Sequence, residues 1–400
     1  MPADIRQEEQ VPERPLKICH FTSSLLNPLG GAEQYCLRVA EWQHDNGYEV
    51  TVAAAWISDS VRGSLENVGV QVLDLRGRRP YPPNQSGSGI RRLAYHLMEM
   101  FAAVHLPRRF RIALRNFDVL HVHRFQGVGL SMLKSRSAKV VHTVHDYGLV
   151  DPNATSVRGK SRLVAIYLQV WRWLSNLAVS PKTILVFPSV RTLQRHRVLG
   201  LTHDAVVVPH GWGELAVEPK SEVRTGPVTI LYLGKLSEAK GILALLGAWG
   251  EGVEGCRLLI AGAGDLSDVV QRESNAVSHM SFLGWLDDTS RAATLREVDA
   301  LVLPSLWPEN FPLVVADAIL NGLPVISSCS ASPPLVIDGI SGLIATDDSP
   351  EALRSVIQRF SNEPGLRRRL REGAVALAPE LSPAAHLSRL RSLYIDQGPT

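Results

Sequence analysis

Leu303-Pro304-Ser305-Leu306-Trp307-Pro308-Glu309-Asn310-Phe311-Pro312-Leu313-Val314-Val315-Ala316-Asp317-Ala318 is the stretch whose reading decides the fold. Ahead of it, Asp299-Ala300-Leu301-Val302-Leu303 is the short apolar run expected of a strand buried on both faces. Behind it a helix is expected to run to Asn321-Gly322, a C-terminal stop signal. Asn310 is expected to cap that helix, with Pro312 in its first turn, where no backbone N–H is needed. Glu309 then stands at a helix N-terminus, a place that favours anions. Asp317 lies two turns on in an otherwise apolar run; a carboxylate buried there needs donors, and sugar hydroxyls would serve.

The same strand–loop–helix unit recurs outward in both directions. Strands are expected at 16–21, 49–55, 70–75, 119–122, 140–144, 183–187 and 205–208, and again at 228–233, 258–261, 281–283, 300–303 and 324–327. One long helix is expected from about Ile90 to Leu114, and residues 76–89, rich in Arg, Pro, Gly and Ser, read as a mobile loop. Strands alternating with helices predict an α/β fold of two Rossmann-like, doubly wound parallel sheets. The expected division is a lead-in at 1–15, a first domain at 16–212 and a second at 213–382, with a linker region near 214–227 and a tail helix at 383–400. Ligands of such sheets bind beyond the carboxyl ends of the strands, so two sheets facing each other make a cleft.

A chain of 400 residues that is 45% hydrophobic has material for two cores. A net charge of +3 without a basic tail does not point to nucleic acid. The four cysteines show no metal-ligand spacing and are expected to be buried, reduced thiols of a cytosolic protein. Residues 1–15 are polar, without the apolar run of a signal peptide. The run Leu163–Val179 contains Gln169, Arg172 and Asn176, so it reads as a partly buried amphipathic helix, with contact at a membrane surface as the minor alternative. Arg108-Arg109-Phe110-Arg111 would suit an anionic surface if the acceptor is a lipid.

Several loops after strands carry chemistry-bearing residues. Gly30-Gly31-Ala32-Glu33 opens a helix and lets backbone approach a phosphate, though a tight turn would look the same. Gly234-Lys235-Leu236-Ser237-Glu238-Ala239-Lys240-Gly241 puts two ammonium groups around a turn, able to clamp a diphosphate. Gly262 and Gly264 lack the rest of a dinucleotide fingerprint and read as a structural turn. His123 and His145 end strands of the first half, where they could meet a sugar hydroxyl or a phosphate. His121 and His142 are expected to face elsewhere, as packed or capping groups.

Together these motifs resemble the GT4-type family of retaining glycosyltransferases with the GT-B fold, from about Leu16 to Tyr394. The resemblance rests on Gly30-Gly31-Ala32-Glu33, Asp118-Val119-Leu120-His121-Val122-His123, His145-Asp146-Tyr147, Pro209-His210-Gly211, the pair Lys235 and Lys240, and the acids Glu309 and Asp317. It implies that the lysines hold the donor diphosphate. Glu309, with the backbone after it at Asn310, Phe311 and Leu313, would meet sugar and phosphate, and Asp317 the ribose. His123, His145, Lys240 and Glu309 become the catalytic candidates. Gly30, Gly31, Lys235 and Trp285 join the donor-site candidates, Trp285 near the base. The chain departs from the common pattern at Lys235 (often Arg), Asp317 (usually Glu), Pro312 (often Gly) and Ser328–Pro334, which lacks a frequent Gly-Gly and Glu.

The implied activity is metal-independent transfer of a hexosyl-type sugar, with retention, from a nucleotide diphosphate sugar to a hydroxyl acceptor. No cofactor is expected besides that co-substrate. The acceptor and oligomeric state are not legible. The expected location is cytoplasmic, with a peripheral place at the inner membrane face as an extension. The rival readings are a nucleotide-sugar epimerase of the same architecture, a catalytically weak transferase-like subunit, and a two-lobed sugar-binding protein.

Overall fold

The computed structural model describes residues 14–76, 89–103, 105–134, 137–151, 162–216, 226–250 and 253–395. Most of the expected mobile loop and lead-in, and part of the expected linker, lie outside them.

Seven strands form the first sheet: β1 (Lys17–Leu25), β2 (Glu49–Ile57), β3 (Gln71–Asp74), β4 (Val119–Val122), β5 (Lys139–Thr143), β6 (Ile184–Phe187) and β7 (Ala205–Val207). Their order is β3-β2-β1-β4-β5-β6-β7, and the pairs are parallel throughout. Six form the second: β8 (Val228–Leu233), β9 (Cys256–Ala261), β10 (Met280–Gly284), β11 (Ala300–Leu303), β12 (Val325–Ser327) and β13 (Gly342–Ile344), in the order β10-β9-β8-β11-β12-β13 and also parallel. Strand order reverses between β1 and β4 and between β8 and β11, the two places where an open sheet leaves a crevice.

The first unit carries α1 (Gly31–Asp45), α2 (Asp59–Asn67), α3 (Gly89–Ala102), α4 (Arg108–Ala113), α5 (Arg162–Ala178) and α6 (Val190–Val198). The second carries α7 (Ile242–Gly250), α8 (Ser267–Ala276), α9 (Asp288–Glu297), α10 (Leu313–Leu320), α11 (Pro350–Asn362) and α12 (Pro364–Leu377). The last helix, α13 (Pro383–Ile395), returns to the first unit. Its Leu390 and Tyr394 are buried in one apolar cluster with Ile18, Val39 and Val141.

Three expectations give way here. The long helix at 90–114 is two helices, because Pro107 cannot donate a helical hydrogen bond and becomes the cap before α4. Asn310 does not cap α10: Pro312 holds the cap position in extended backbone without a side-chain cap, and the Asn310 amide turns to the first unit instead. Of the four cysteines, Cys19, Cys36 and Cys256 are buried, but Cys329 is exposed.

Glycine fixes the close approach of the loops. Gly241 has φ of +71°, and a Cβ there would lie 1.8 Å from the Pro304 carbonyl oxygen. The turn bearing Lys240 is thereby pressed onto the loop bearing Glu309. Gly262 and Gly264 pack in the same way on the 234–236 backbone, so that turn is structural.

Candidate active site

Glu309 is the centre of the second unit's half of the cleft. Its Oε1 accepts from Lys240 Nζ at 2.7 Å, Ser305 Oγ at 2.7 Å and Trp307 Nε1 at 3.0 Å. Three donors on one oxygen fix the carboxylate in place. Among the described residues none donates to Oε2, which leaves a charged acceptor for a ligand. Lys240 Nζ also lies 5.1 Å from the Trp307 ring centroid. Lys235 is exposed, and its backbone carbonyl, not its ammonium, is tied down by Tyr232 Oη at 2.8 Å.

Asp317 has protein donors already. Trp212 Nε1 donates to Oδ1 at 2.6 Å, and Arg291 Nε stands 3.7 Å from Oδ2. Burial raises the Asp317 carboxyl above its ordinary range against the pull of Arg291, Trp212 and Arg38. Arg38 of α1 stacks 3.8 Å over the Trp212 ring and donates to the Trp212 carbonyl at 2.6 Å, which ties α1 to this corner. Trp285, 68% exposed, directly follows the end of β10.

Across the cleft, Gly30 and Gly31 close the loop after β1. A Cβ on Gly31 would lie 3.4 Å from Leu313 Cδ1. Glu33 turns inward and pairs with Arg124 Nη1 at 2.7 Å, while Arg124 Nε lies 3.7 Å from Asp146. The Asp146 carboxylate accepts from Gln126 and from the Gly148 backbone N–H at 2.8 Å, so the acid next to His145 is a local strut. Asn310 Nδ2 donates to the His145 carbonyl at 2.9 Å, and Phe311 packs 4.8 Å from the His210 ring. Glu309's loop and the β5 end thus meet across the cleft.

His123 and His145 belong to a larger set than the sequence suggested. His20 Nδ1 meets His123 Nε2 at 2.9 Å, and His123 Nδ1 meets His145 Nε2 at 3.2 Å. His121 stacks on His123 with centroids 4.4 Å apart, against the expectation that it faces elsewhere. The reason is the strand period of two: residues i and i+2 share a face. His142 does face away, toward the Val122 carbonyl at 2.8 Å. Burial drives these rings toward the neutral form, with His20 lowered to about 4 and His145 to about 3. His20, Cys36 and His123 place one ligand atom each within 4.8 Å of one another, the geometry a metal would need. His20 and His123 already hydrogen-bond each other through Nδ1 and Nε2.

Sequence reasoning missed Ser305, Trp307, Trp212, Arg291, Arg38 and the histidines at 20, 210 and 386. One signal was available: His20 and His121 are register partners on adjacent strands, so histidines at 20, 121 and 123 had to cluster.

This geometry, two Rossmann-like units with a basic and acidic pair facing histidines across a cleft, is that of a GT-B glycosyltransferase. A family described as "Glycosyltransferase Family 4" matches residues 29–212, and one described as "Glycosyl transferases group 1" matches residues 227–363. The chain belongs to this GT4 group of glycosyltransferases. It is 28% identical over 365 residues to a phosphatidyl-myo-inositol mannosyltransferase of Mycobacterium leprae, covering 87% of this chain and 88% of the relative. The enzyme of the same description from Mycolicibacterium smegmatis is 28% identical over 368 residues, 88% and 85% of the two chains. Among solved structures, Anabaena Alr3699/HepE in complex with UDP and glucose superposes with a TM-score of 0.69 at 18% identity, covering 94% of this chain and 98% of that one.

Proposed function

We propose that this chain transfers a hexosyl-type sugar, with retention of anomeric configuration and without a metal, from a nucleotide diphosphate sugar to a hydroxyl acceptor. The observation that carries the reading is the Lys240–Glu309 pair, held by Ser305 and Trp307 beside the α10 start. Lys240 and Lys235 neutralise the leaving diphosphate, and the free Oε2 of Glu309 accepts from a sugar hydroxyl. Asp317 takes the ribose through Oδ2, since Oδ1 is engaged by Trp212. The unit at 213–382 holds the donor and the unit at 16–212 the acceptor. The leaving phosphate helps take the acceptor proton on the same face, and closure of the cleft excludes water.

The acceptor is a hydroxyl presented at an anionic membrane surface, on the cytoplasmic side. Support comes from the lipid acceptor in the relatives' name and from one face of the first unit. On α5, Ile166, Val170, Trp173 and Leu177 form an exposed apolar stripe opposite the buried one, and Leu97 and Phe101 of α3 are exposed too. Residues 89–115 hold six arginines and one acid, Glu99, which is buried. Apolar groups rimmed by cations fit a bilayer of anionic lipid. No described helix is long and apolar enough to cross a membrane.

The test is to incubate the protein with UDP-, GDP-, ADP- and dTDP-sugars and follow nucleoside diphosphate release. One donor should be used, with Lys240→Ala and Glu309→Ala reduced at least ~100-fold, the scale of losing a charge-stabilising group. Release by the variants equal to wild type defeats the site assignment, and release of epimerised free sugar favours the epimerase.

A further inference from the structure

A hydrogen-bond chain links Tyr394 of the C-terminal helix to the cleft, and the Gln43 amide sets its direction; His386 of the same helix forms a second, separate set of bonds. Pro209 O can only accept, so His386 Nδ1–H donates to it at 2.9 Å. His386 Nε2 is then the lone pair that accepts from Tyr35 Oη–H at 2.6 Å. Nearer the cleft, His121 Nε2 pairs with Thr143 Oγ1 and His121 Nδ1 with Tyr394 Oη, each at 2.7 Å. Tyr394 in turn accepts from the Gln43 amide at 3.1 Å, and Gln43 Oε1 accepts from His20 Nε2–H at 2.7 Å. His20 Nδ1 accepts from His123 Nε2–H at 2.9 Å, and His123 Nδ1 from His145 Nε2–H at 3.2 Å.

With every ring neutral, the direction follows from the Gln43 amide, whose Nε2 donates to Tyr394 and whose Oε1 can only accept from His20. Its buried members end on His145, the one ring of the relay that is only half-buried, at the carboxyl end of β5. Among the described residues nothing bonds His145 Nδ1. Burial keeps the relay neutral at pH 7: His20 is lowered to about 4 and His145 to about 3.

We propose that His145 meets the bound ligand as a hydrogen-bond acceptor only, through Nδ1, and that Gln43 and Tyr394 are positioning residues that hold it in that tautomer. The ligand group is then a hydroxyl donor on the sugar or acceptor lying beside β5. A carbonyl or an ether oxygen at that point would face a lone pair and be rejected, which makes the relay a specificity device. The tail helix enters the chemistry by setting this tautomer rather than by touching substrate. The proposal rests on the transferase reading for its consequence, but the tautomer itself is readable without substrate.

The experiment is long-range 1H–15N correlation NMR of the histidine rings in the ligand-free full chain at pH 7, with His145 assigned from the signals lost in His145→Gln. The expected wild-type result is His145 protonated at Nε2 and bare at Nδ1. Gln43→Met should leave His145 and His123 as tautomer mixtures, with kcat/KM falling about 3- to 10-fold on the donor the panel selects. A wild-type His145 protonated at Nδ1 overturns the proposal even if the variant fails to fold. So does a Gln43→Met spectrum with unmoved tautomers, or moved tautomers with unchanged kcat/KM. If no donor is turned over while the tautomers behave as stated, the transferase reading fails and the relay stands.

Discussion

Asp317→Asn separates what the Asp317 carboxylate does for the ligand from what it costs the fold. An amide keeps an oxygen for the Trp212 indole, now at 2.6 Å, but presents N–H where Oδ2 stands. A ribose hydroxyl donating to a charged oxygen gains roughly 1–2 kcal/mol over one meeting a neutral amide. Nucleoside diphosphate should therefore bind about 5- to 30-fold more weakly to the variant. Stability should move the other way. The folded Asp317 carboxyl is raised above its unfolded value by burial. A raised acid keeps its proton to higher pH in the folded state, so stability falls as pH rises through the raised value and stays lower at pH 7. Asparagine removes that cost, and Arg291 keeps Asp288 at 3.1 Å as its partner. The expected melting temperature at pH 7 is equal to or above wild type, read by calorimetry beside a titration with the diphosphate. A variant that melts several degrees lower, or binds the diphosphate like wild type, refutes the reasoning.

Three other outcomes follow from the same contacts. The buried histidines make the fold acid-labile: His20, His142 and His386 are lowered to about 4, so their contribution is whole above the unfolded value near 6.5 and is lost as pH falls toward 4. Each ring costs about 1.4 kcal/mol at pH 5.5, and thermal melts at pH 7.5 and 5.5 should differ by many degrees; coincident melts count against the buried neutral network. Gly241→Ala places a Cβ 1.8 Å from Pro304 O at a φ of +71°, and should cost about 2–4 kcal/mol while weakening diphosphate binding through the displaced Glu309 loop; an unchanged melt means the two loops are not locked together. Trp173→Ser with Phe101→Ser should reduce cosedimentation with vesicles of anionic phospholipid about tenfold and leave donor binding intact; equal cosedimentation removes that face as the contact.

The fold was legible because its signals are local. Each strand is a short apolar run and each loop carries its glycine or lysine directly after it, so the carboxyl-end placement of Lys240 and Glu309 followed from order along the chain. The break at Pro107 was legible too, but the apolar residues on either side masked it. The environment of Asp317 was not: its partners come from residues 212 and 291, on separate elements, and no spacing announces them. The histidine relay draws on residues 20, 43, 121, 123, 145 and 394, and its closure depends on the tail helix packing back on β5 and α1. Pairing information of that range lies in the topology, not in periodicity.

The claim at the centre is that Lys240, steadied by Glu309, holds the leaving diphosphate. Calorimetric binding of a nucleoside diphosphate and the matching monophosphate, to wild type and to Lys240→Ala, tests it most directly. Wild type should prefer the diphosphate by about tenfold or more, and Lys240→Ala should bind the two within about threefold. A preference that survives in Lys240→Ala, or a wild type that binds both equally, contradicts the claim.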